Sequence, residues 1–153
     1  MIHIYRKTFY SHYYYSSSIR YAILSFKNQG NVNAMKFLAK ICIKDIAEVF
    51  EKTESDALAY VPSYDRPHMR DFAFLIAEKL HLPLWHGIIK IKNTKSLCEC
   101  TDDKERYQTA YDSYQIITNK APRTTLILDN VITTGATLSV ITNLLENNQI
   151  HVH

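Results

Sequence analysis

Apolar and polar positions along the 153-residue chain fall into two rhythms, one of period 3.6 and one of short continuous runs. After the serines at 16, 17 and 18, which suit helix N-caps, Ile19, Ile23 and Phe26 lie on one helical face, and Asn28 to Gly30 closes the segment. Ala34, Phe37, Leu38, Ile41 and Ile46 predict a second helix reaching about Glu51. Ala57 to Pro62 reads as a first core strand, and Asp71 to Leu80 as a helix burying Phe72, Leu75, Ile76 and Leu80, stopped by Pro83. Trp85 to Lys92 and Ala110 to Ile116 are further predicted strands, separated by a polar loop over Asn93 to Lys104. Thr118 to Arg123 then turns the chain into Thr125–Leu128, apolar and flanked by polar residues, as a buried parallel strand requires. Leu138, Ile141, Leu144 and Leu145 share the face of a last helix, and Ile150 to His153 is barely a strand. Phe9 to Tyr15 is β-prone and predicts an edge strand or hairpin. Strands alternating with helices predict an α/β fold, a mostly parallel sheet with helices on both faces.

With 46% hydrophobic residues, three glycines and four prolines, residues 1–153 are expected to form one domain with a real core and little linker. Its first 55 residues would be an N-terminal helical segment and residues 56–153 the core. The net charge of +3 suits phosphate-bearing ligands but is too small by itself to indicate nucleic acid. No apolar run approaches the roughly 20 residues of a membrane span, so membrane insertion is not expected. Met1 to Lys7 lacks the apolar centre of a signal peptide, and three cysteines without framework spacing suggest reduced thiols and a cytoplasmic location. Cys98-Glu99-Cys100 lacks the partners of a four-ligand zinc site. The Tyr13-Tyr14-Tyr15 run is better read as packing than as base stacking, because no basic residue interleaves it.

The densest candidate chemistry follows the last core strand, in Asp129-Asn130-Val131-Ile132-Thr133-Thr134-Gly135-Ala136-Thr137. A strand running into a polar loop that opens a helix is how α/β proteins build a phosphate site, from convergent backbone N–H groups and a partly positive helix end. Thr133, Thr134 and Thr137 supply hydroxyls, Gly135 tolerates positive φ, Ala136 leaves room, and Asp129 stands at the carboxyl end of the strand. The pattern is neither the lysine-bearing P-loop nor the dinucleotide glycine fingerprint.

This stretch resembles the phosphoribosyl-pyrophosphate (PRPP) signature of type I phosphoribosyltransferases. The resemblance implies that Asp129 and Asn130 face the ribose hydroxyls and that Thr133, Thr134, Gly135, Ala136 and Thr137 cradle the 5′-phosphate. Asn130 stands where the family has a second acid, keeping a carbonyl but no charge. Thr133 stands where nucleobase-salvage members often carry an aspartate, which argues against purine salvage.

A second resemblance, covering about Tyr15 to the end, is to the ComF family of PRPP-fold proteins linked to natural competence. It is carried by the spacing of Tyr15, Ile19, Arg20, Ile23, Lys27 and Gly30, by Val61-Pro62, by Arg70 and Phe72, and by Glu105-Arg106 with Thr109 and Tyr114. Lys27 by itself reads as a solvated lysine at a helix end. Where the family has Arg-Gly-Phe-Asn-Gln, this chain has Arg70-Asp71-Phe72-Ala73-Phe74, and it carries no N-terminal four-cysteine zinc module. The resemblance implies that the loop after the first core strand receives pyrophosphate, with Ser63, Arg66, Arg70 and Arg106 as candidate ligands. It also implies that residues 93–104 form a lid.

The expectation is therefore a type I phosphoribosyltransferase-like α/β domain with an N-terminal hood, binding PRPP with Mg²⁺ and acting in DNA uptake. If catalytic, it is a glycosyltransferase displacing pyrophosphate at ribose C1. Two alternatives stay open: an active nucleobase phosphoribosyltransferase, and a non-catalytic module for single-stranded DNA or for competence and DNA-processing proteins.

Overall fold

The computed structural model describes residues 2–4, 7–11, 13–64, 66–91 and 102–153. Two short strands, β1 (Ile2–Ile4) and β2 (Lys7–Phe9), pair antiparallel at the start. The aromatic segment predicted as a hairpin lies one step later. Tyr10, Tyr13, Tyr14 and Tyr15 are not in a strand, and the Tyr13 hydroxyl instead donates to the Ile41 carbonyl at 3.0 Å.

The two predicted helices form as α1 (Ser17–Gln29) and α2 (Val32–Lys52). Gly30 ends α1 in the left-handed conformation, and the Asn31 side chain then caps α2 by accepting from the N–H groups of Asn33 and Ala34 at 3.0 and 3.2 Å. The turn between them is that short, so α1 packs back on α2.

The core begins with β3 (Ala57–Tyr60) and α3 (His68–Leu80), continues through β4 (Ile88–Lys90), α4 (Asp103–Tyr111) and β5 (Tyr114–Ile116), and ends with β6 (Thr124–Leu128), α5 (Ala136–Asn147) and β7 (His151–Val152). A three-stranded parallel sheet, β3-β6-β7, forms its centre, with Leu58 opposite Leu126 and Thr125 opposite Val152. Leu84 adds a parallel bridge on the far side of β3: the Leu58 N–H donates to the Pro83 carbonyl and the Trp85 N–H to the Leu58 carbonyl, both at 2.8 Å. The spatial order is thus Leu84, β3, β6, β7.

Side chains alternate across this sheet as the pleat dictates. Ala59, Val61 and Ile127 meet α5 through Leu138, Ile141 and Leu145. Leu58, Tyr60, Leu126 and Leu128 turn the other way, toward Met69, Ala73 and Ile76 of α3 and Ala39 of α2. Helices therefore cover both faces, as the alternating pattern required.

Several elements differ from expectation: β3 ends at Tyr60 rather than Pro62, and α3 starts at His68 rather than Asp71. The strand predicted over Trp85 to Lys92 is only Ile88–Lys90, and it pairs antiparallel with β5, outside the central sheet. The strand predicted from Ala110 starts at Tyr114, because Ala110 and Tyr111 finish α4. That helix was missed. It has almost no apolar stripe and is signalled chiefly by Asp102, whose carboxylate caps the Glu105 N–H at 2.7 Å. Most of the predicted lid, with Cys98-Glu99-Cys100, lies outside the described residues.

Gly87 marks where Trp85 folds over the chain. A Cβ there would sit 2.0 Å from the indole and 2.8 Å from the Ile117 carbonyl. We expect Gly87→Ala to destabilise by about 1–3 kcal/mol through overpacking. Leu58→Ala and Ile141→Ala, at fully buried positions, should each cost about 2–5 kcal/mol, while the exposed Phe74→Ala should stay within about 0.5 kcal/mol. Urea unfolding of the four variants checks this, and equal midpoints for Leu58→Ala and Phe74→Ala would contradict the packing.

Candidate functional site

From β3 the chain crosses by α3 to Leu84 on one side of the sheet, and from β6 it crosses by α5 to β7 on the other. The two crossovers use opposite faces. Between the carboxyl ends of β3 and β6 the order of strands reverses, and at such a switch point an open α/β sheet leaves a crevice for ligand. Residues 61–64, with 66 and 67, and the loop over residues 129–135 open there.

Seven of the expected residues, Ser63, Arg66, Asp129, Asn130, Thr133, Thr134 and Gly135, come from these two loops. A histidine at the start of the next helix links the two loops. His68, in the first turn of α3, is 9% exposed and lies edge-on to Phe26 with ring centroids 6.0 Å apart. The Ser63 hydroxyl is 3.4 Å from Nδ1 and 3.3 Å from Nε2, and the Asn130 amide nitrogen is 3.4 Å from Nε2.

Burial, first, and then the charges of Lys27 and Arg66 push the His68 imidazole below its ordinary value, so the ring is neutral at neutral pH; a hydrogen bond to the Arg66 backbone and the charge of Asp71 act in the opposite direction. Asp129 is displaced the other way. Enclosure of its carboxyl group raises its pKa to about 6, against the opposing effects of the Asn130 backbone N–H, which donates to it at 2.8 Å, and of Lys27. Lys27 therefore acts on both groups, whereas its sequence position alone suggested a solvated helix end. Only the Tyr15-to-Gly30 spacing had pointed to it.

Tyr114 of β5 closes another side. Burial and the nearby Asp129 charge keep its phenol protonated well above the usual range, and the Lys90 ammonium lies 5.7 Å from its ring centroid. A further pair stands at the end of β3, where the Tyr60 hydroxyl meets His86 Nδ1 at 3.1 Å.

The expected arginines are placed unequally. Arg66 Nη1 donates to the carbonyls of Lys27 and Asn28 at 3.3 and 2.9 Å, tying the crevice to the end of α1. Arg70 pairs with Asp71 at 3.1 Å on the surface. Arg106 falls within α4, away from both loops in sequence, and its side chain lies outside the described atoms.

In the second loop Gly135 has φ 75°, the left-handed conformation that a glycine adopts without strain, and it serves as N-cap of α5. No side chain caps that helix; the Thr134 hydroxyl accepts a long 3.4 Å contact from the Ala136 N–H. Beyond Ala136, the N–H groups of Thr137 and Leu138 have no side-chain partner among the described residues and are open to a ligand. Thr133 is exposed, Thr134 and Thr137 are half-buried, and Ala136 is buried.

Beside Asp129 and Asn130 runs an apolar cavity of about 400 Å³, lined by Ile23, Phe26, Ile46, Phe72 and Leu128. Among the described residues no group of three or more His, Cys, Asp or Glu side chains gathers to hold a metal, and no helix is long and apolar enough to cross a membrane.

The fold and crevice define an α/β protein with a switch-point site made of one carboxylate, one neutral imidazole, hydroxyls and an uncapped helix end. No protein family, curated protein or solved structure matches the chain.

The Asp129 carboxyl ionises near 3.8 in an unfolded chain and near 6 when folded. Between these values the folded state binds more protons, so stability falls as pH rises through this window. Asp129→Asn should then stabilise the ligand-free protein at neutral pH, by on the order of 2 kcal/mol, with the gain vanishing near about pH 4. Urea titrations at both pH values check this, and a destabilised variant at neutral pH would refute the buried-carboxylate account.

Proposed function

We propose that the chain is a ComF-like protein of the phosphoribosyltransferase type that binds PRPP in the switch-point crevice and acts in natural competence and DNA uptake. The observation that carries the reading is the uncapped α5 N-terminus, with Gly135 at positive φ and Thr133, Thr134 and Thr137 around it, directly after Asp129 at a parallel strand end. This is the geometry a 5′-phosphate uses, and Asp129 stands one loop away, where a ribose diol would lie.

The donor set fits Mg²⁺ carried on the ligand's own oxygens. Asp129 is a single hard carboxylate beside the amide carbonyl of Asn130, and Mg²⁺ sites commonly use one or two carboxylates plus substrate phosphates. When bound, the ion supplies charge neutralisation for the pyrophosphate. This chain's residues bind and orient: the threonine loop holds the phosphate, Asp129 orients the ribose, and Ser63 with the loop over residues 61–67 faces the pyrophosphate. If a base attacks C1, the bond to pyrophosphate breaks through an oxocarbenium-like transition state, and positioning and electrostatics are the protein's contribution.

One set of observations favours a second reading, a non-catalytic module for single-stranded DNA or protein partners. Arg66 and Arg70 already hold internal partners, and Asn130 lacks the charge of the family's second acid. DNA binding with an affinity that falls steeply with salt would support this reading.

Calorimetric titration with PRPP at near-physiological salt separates the two. We expect micromolar affinity that depends on Mg²⁺, and a loss of at least about tenfold in Thr134→Val and in Asp129→Ala with unfolding cooperativity retained. Absence of binding to the unsubstituted protein, with and without Mg²⁺, would overturn the PRPP reading.

A further inference from the structure

We infer that the outer face of the α1–α2 hairpin docks on an anionic lipid bilayer, where exposed lysines meet the headgroups and exposed aromatic rings enter the boundary between headgroups and acyl chains. Docking of this kind is independent of what the crevice binds.

Charge is divided unevenly along the chain. The first 44 residues carry seven Lys and Arg side chains and no Asp or Glu, whereas the rest has more acidic than basic side chains. Lys36, Lys40 and Lys44 stand one turn apart on the exposed stripe of α2, with Phe37 among them. Phe37 and Tyr21 of α1 line the same shallow groove of about 520 Å³ between the two helices, and their rings are 43% and 75% exposed. Ahead of α1, Tyr14 is 92% exposed, and the Arg20 guanidinium lies 5.9 Å from the Tyr15 ring centroid. The Tyr13 hydroxyl bond to the Ile41 carbonyl ties this segment to α2. More than half of the large hydrophobic side chains exposed among the described residues fall between Tyr13 and Phe37, so apolar exposure and positive charge coincide.

That coincidence is what a bilayer surface selects. Cations draw the protein to anionic headgroups, and tyrosine and phenylalanine rings, apolar in body, settle at the interface. A nucleic-acid strand would need stacking slots and free hydrogen-bonding edges for its bases. On the groove floor the Asn31 amide nitrogen donates to the Ser25 hydroxyl at 3.0 Å, that hydroxyl donates to Gln29 at 3.1 Å, and the Asn31 side-chain oxygen caps α2. These polar groups are spent on one another. Val32, exposed at the turn of the hairpin, has no ring to stack but suits acyl chains. On the inner side of α1, Ile23 and Phe26 line the cavity beside Asp129. A bilayer therefore meets α1 on the side away from the crevice.

The test is flotation of the full chain with vesicles of phosphatidylcholine alone and of an equal mixture of phosphatidylcholine and phosphatidylserine. The protein should bind the mixed vesicles only, and less as salt rises. Lys36→Gln, Lys40→Gln and Lys44→Gln together should weaken binding on the order of a hundredfold, and Tyr21→Ser with Phe37→Ser by about tenfold. All five positions are exposed, so the fold should be kept. Phe37→Trp should add a fluorescence that moves to the blue on mixed vesicles, which adhesion by charge alone would not produce. No binding to mixed vesicles at low salt, equal binding to neutral ones, an unaffected lysine variant or an unmoved emission would each overturn the docking. So would a single-stranded oligonucleotide that binds more tightly and displaces the vesicles, which would assign the face to nucleic acid. Vesicle binding by a protein that ignores PRPP leaves the docking intact and sinks the transferase-type reading alone.

Discussion

Everything at the crevice depends on the parallel pairing of β3 with β6. Its last rung, the Val61 N–H donating to the Leu128 carbonyl at 3.0 Å, sets Pro62-Ser63 and Asp129-Asn130 side by side as they leave the sheet. A slip of one residue would turn Leu58 and Leu126 to the opposite face and separate the loops. Two polar devices guard the register. At the amino end the Asp56 carboxylate accepts from the N–H groups of Arg123 and Thr124 at 3.1 and 3.0 Å. Inside, the fully buried Thr125 hydroxyl donates to the Ala57 carbonyl at 3.1 Å. Neither touches the site, yet both decide where it is.

The crevice drives an acid and a base toward neutrality by a shared mechanism with opposite results. Burial opposes whichever form is charged, raising Asp129 and lowering His68. Lys27 then acts asymmetrically, favouring a charged Asp129 and disfavouring a charged His68. Because Lys27 sits on α1, and Arg66 is anchored to the end of α1 by two hydrogen bonds, α1 adds to the effect of burial on His68 and opposes it on Asp129. A shift of α1 would change both groups together.

What could be read from the sequence was what is local. The helix α5 and strand β6 announce themselves by apolar spacing, and the loop between them by its threonines and glycine, since each feature is fixed within a few residues. Helices α1, α2 and α3 were legible for the same reason. The pairing of β4 with β5 was not, because three-residue strands carry no periodicity that distinguishes an antiparallel pair from a parallel one. Helix α4 hid behind its charge, and nothing in the loop around Arg66 reveals that it reaches carbonyls 38 and 39 residues away. His68 is the same case in reverse. Its spacing from Ser63 is visible, but its contact with Asn130 spans 62 residues of chain.

That contact also gives a physical reason for Asn130 itself. An amide nitrogen only donates, so a hydrogen bond to Nε2 needs the neutral tautomer whose proton is on Nδ1. A carboxylate at position 130 would instead attract a proton onto the imidazole and fill the crevice with a permanent ion pair, beside the charge of Asp129. With asparagine, the ring keeps a neutral neighbour, and the loop keeps an amide carbonyl as an acceptor. The asparagine and the buried histidine thus fit one another, two neutral groups beside the single carboxylate of Asp129.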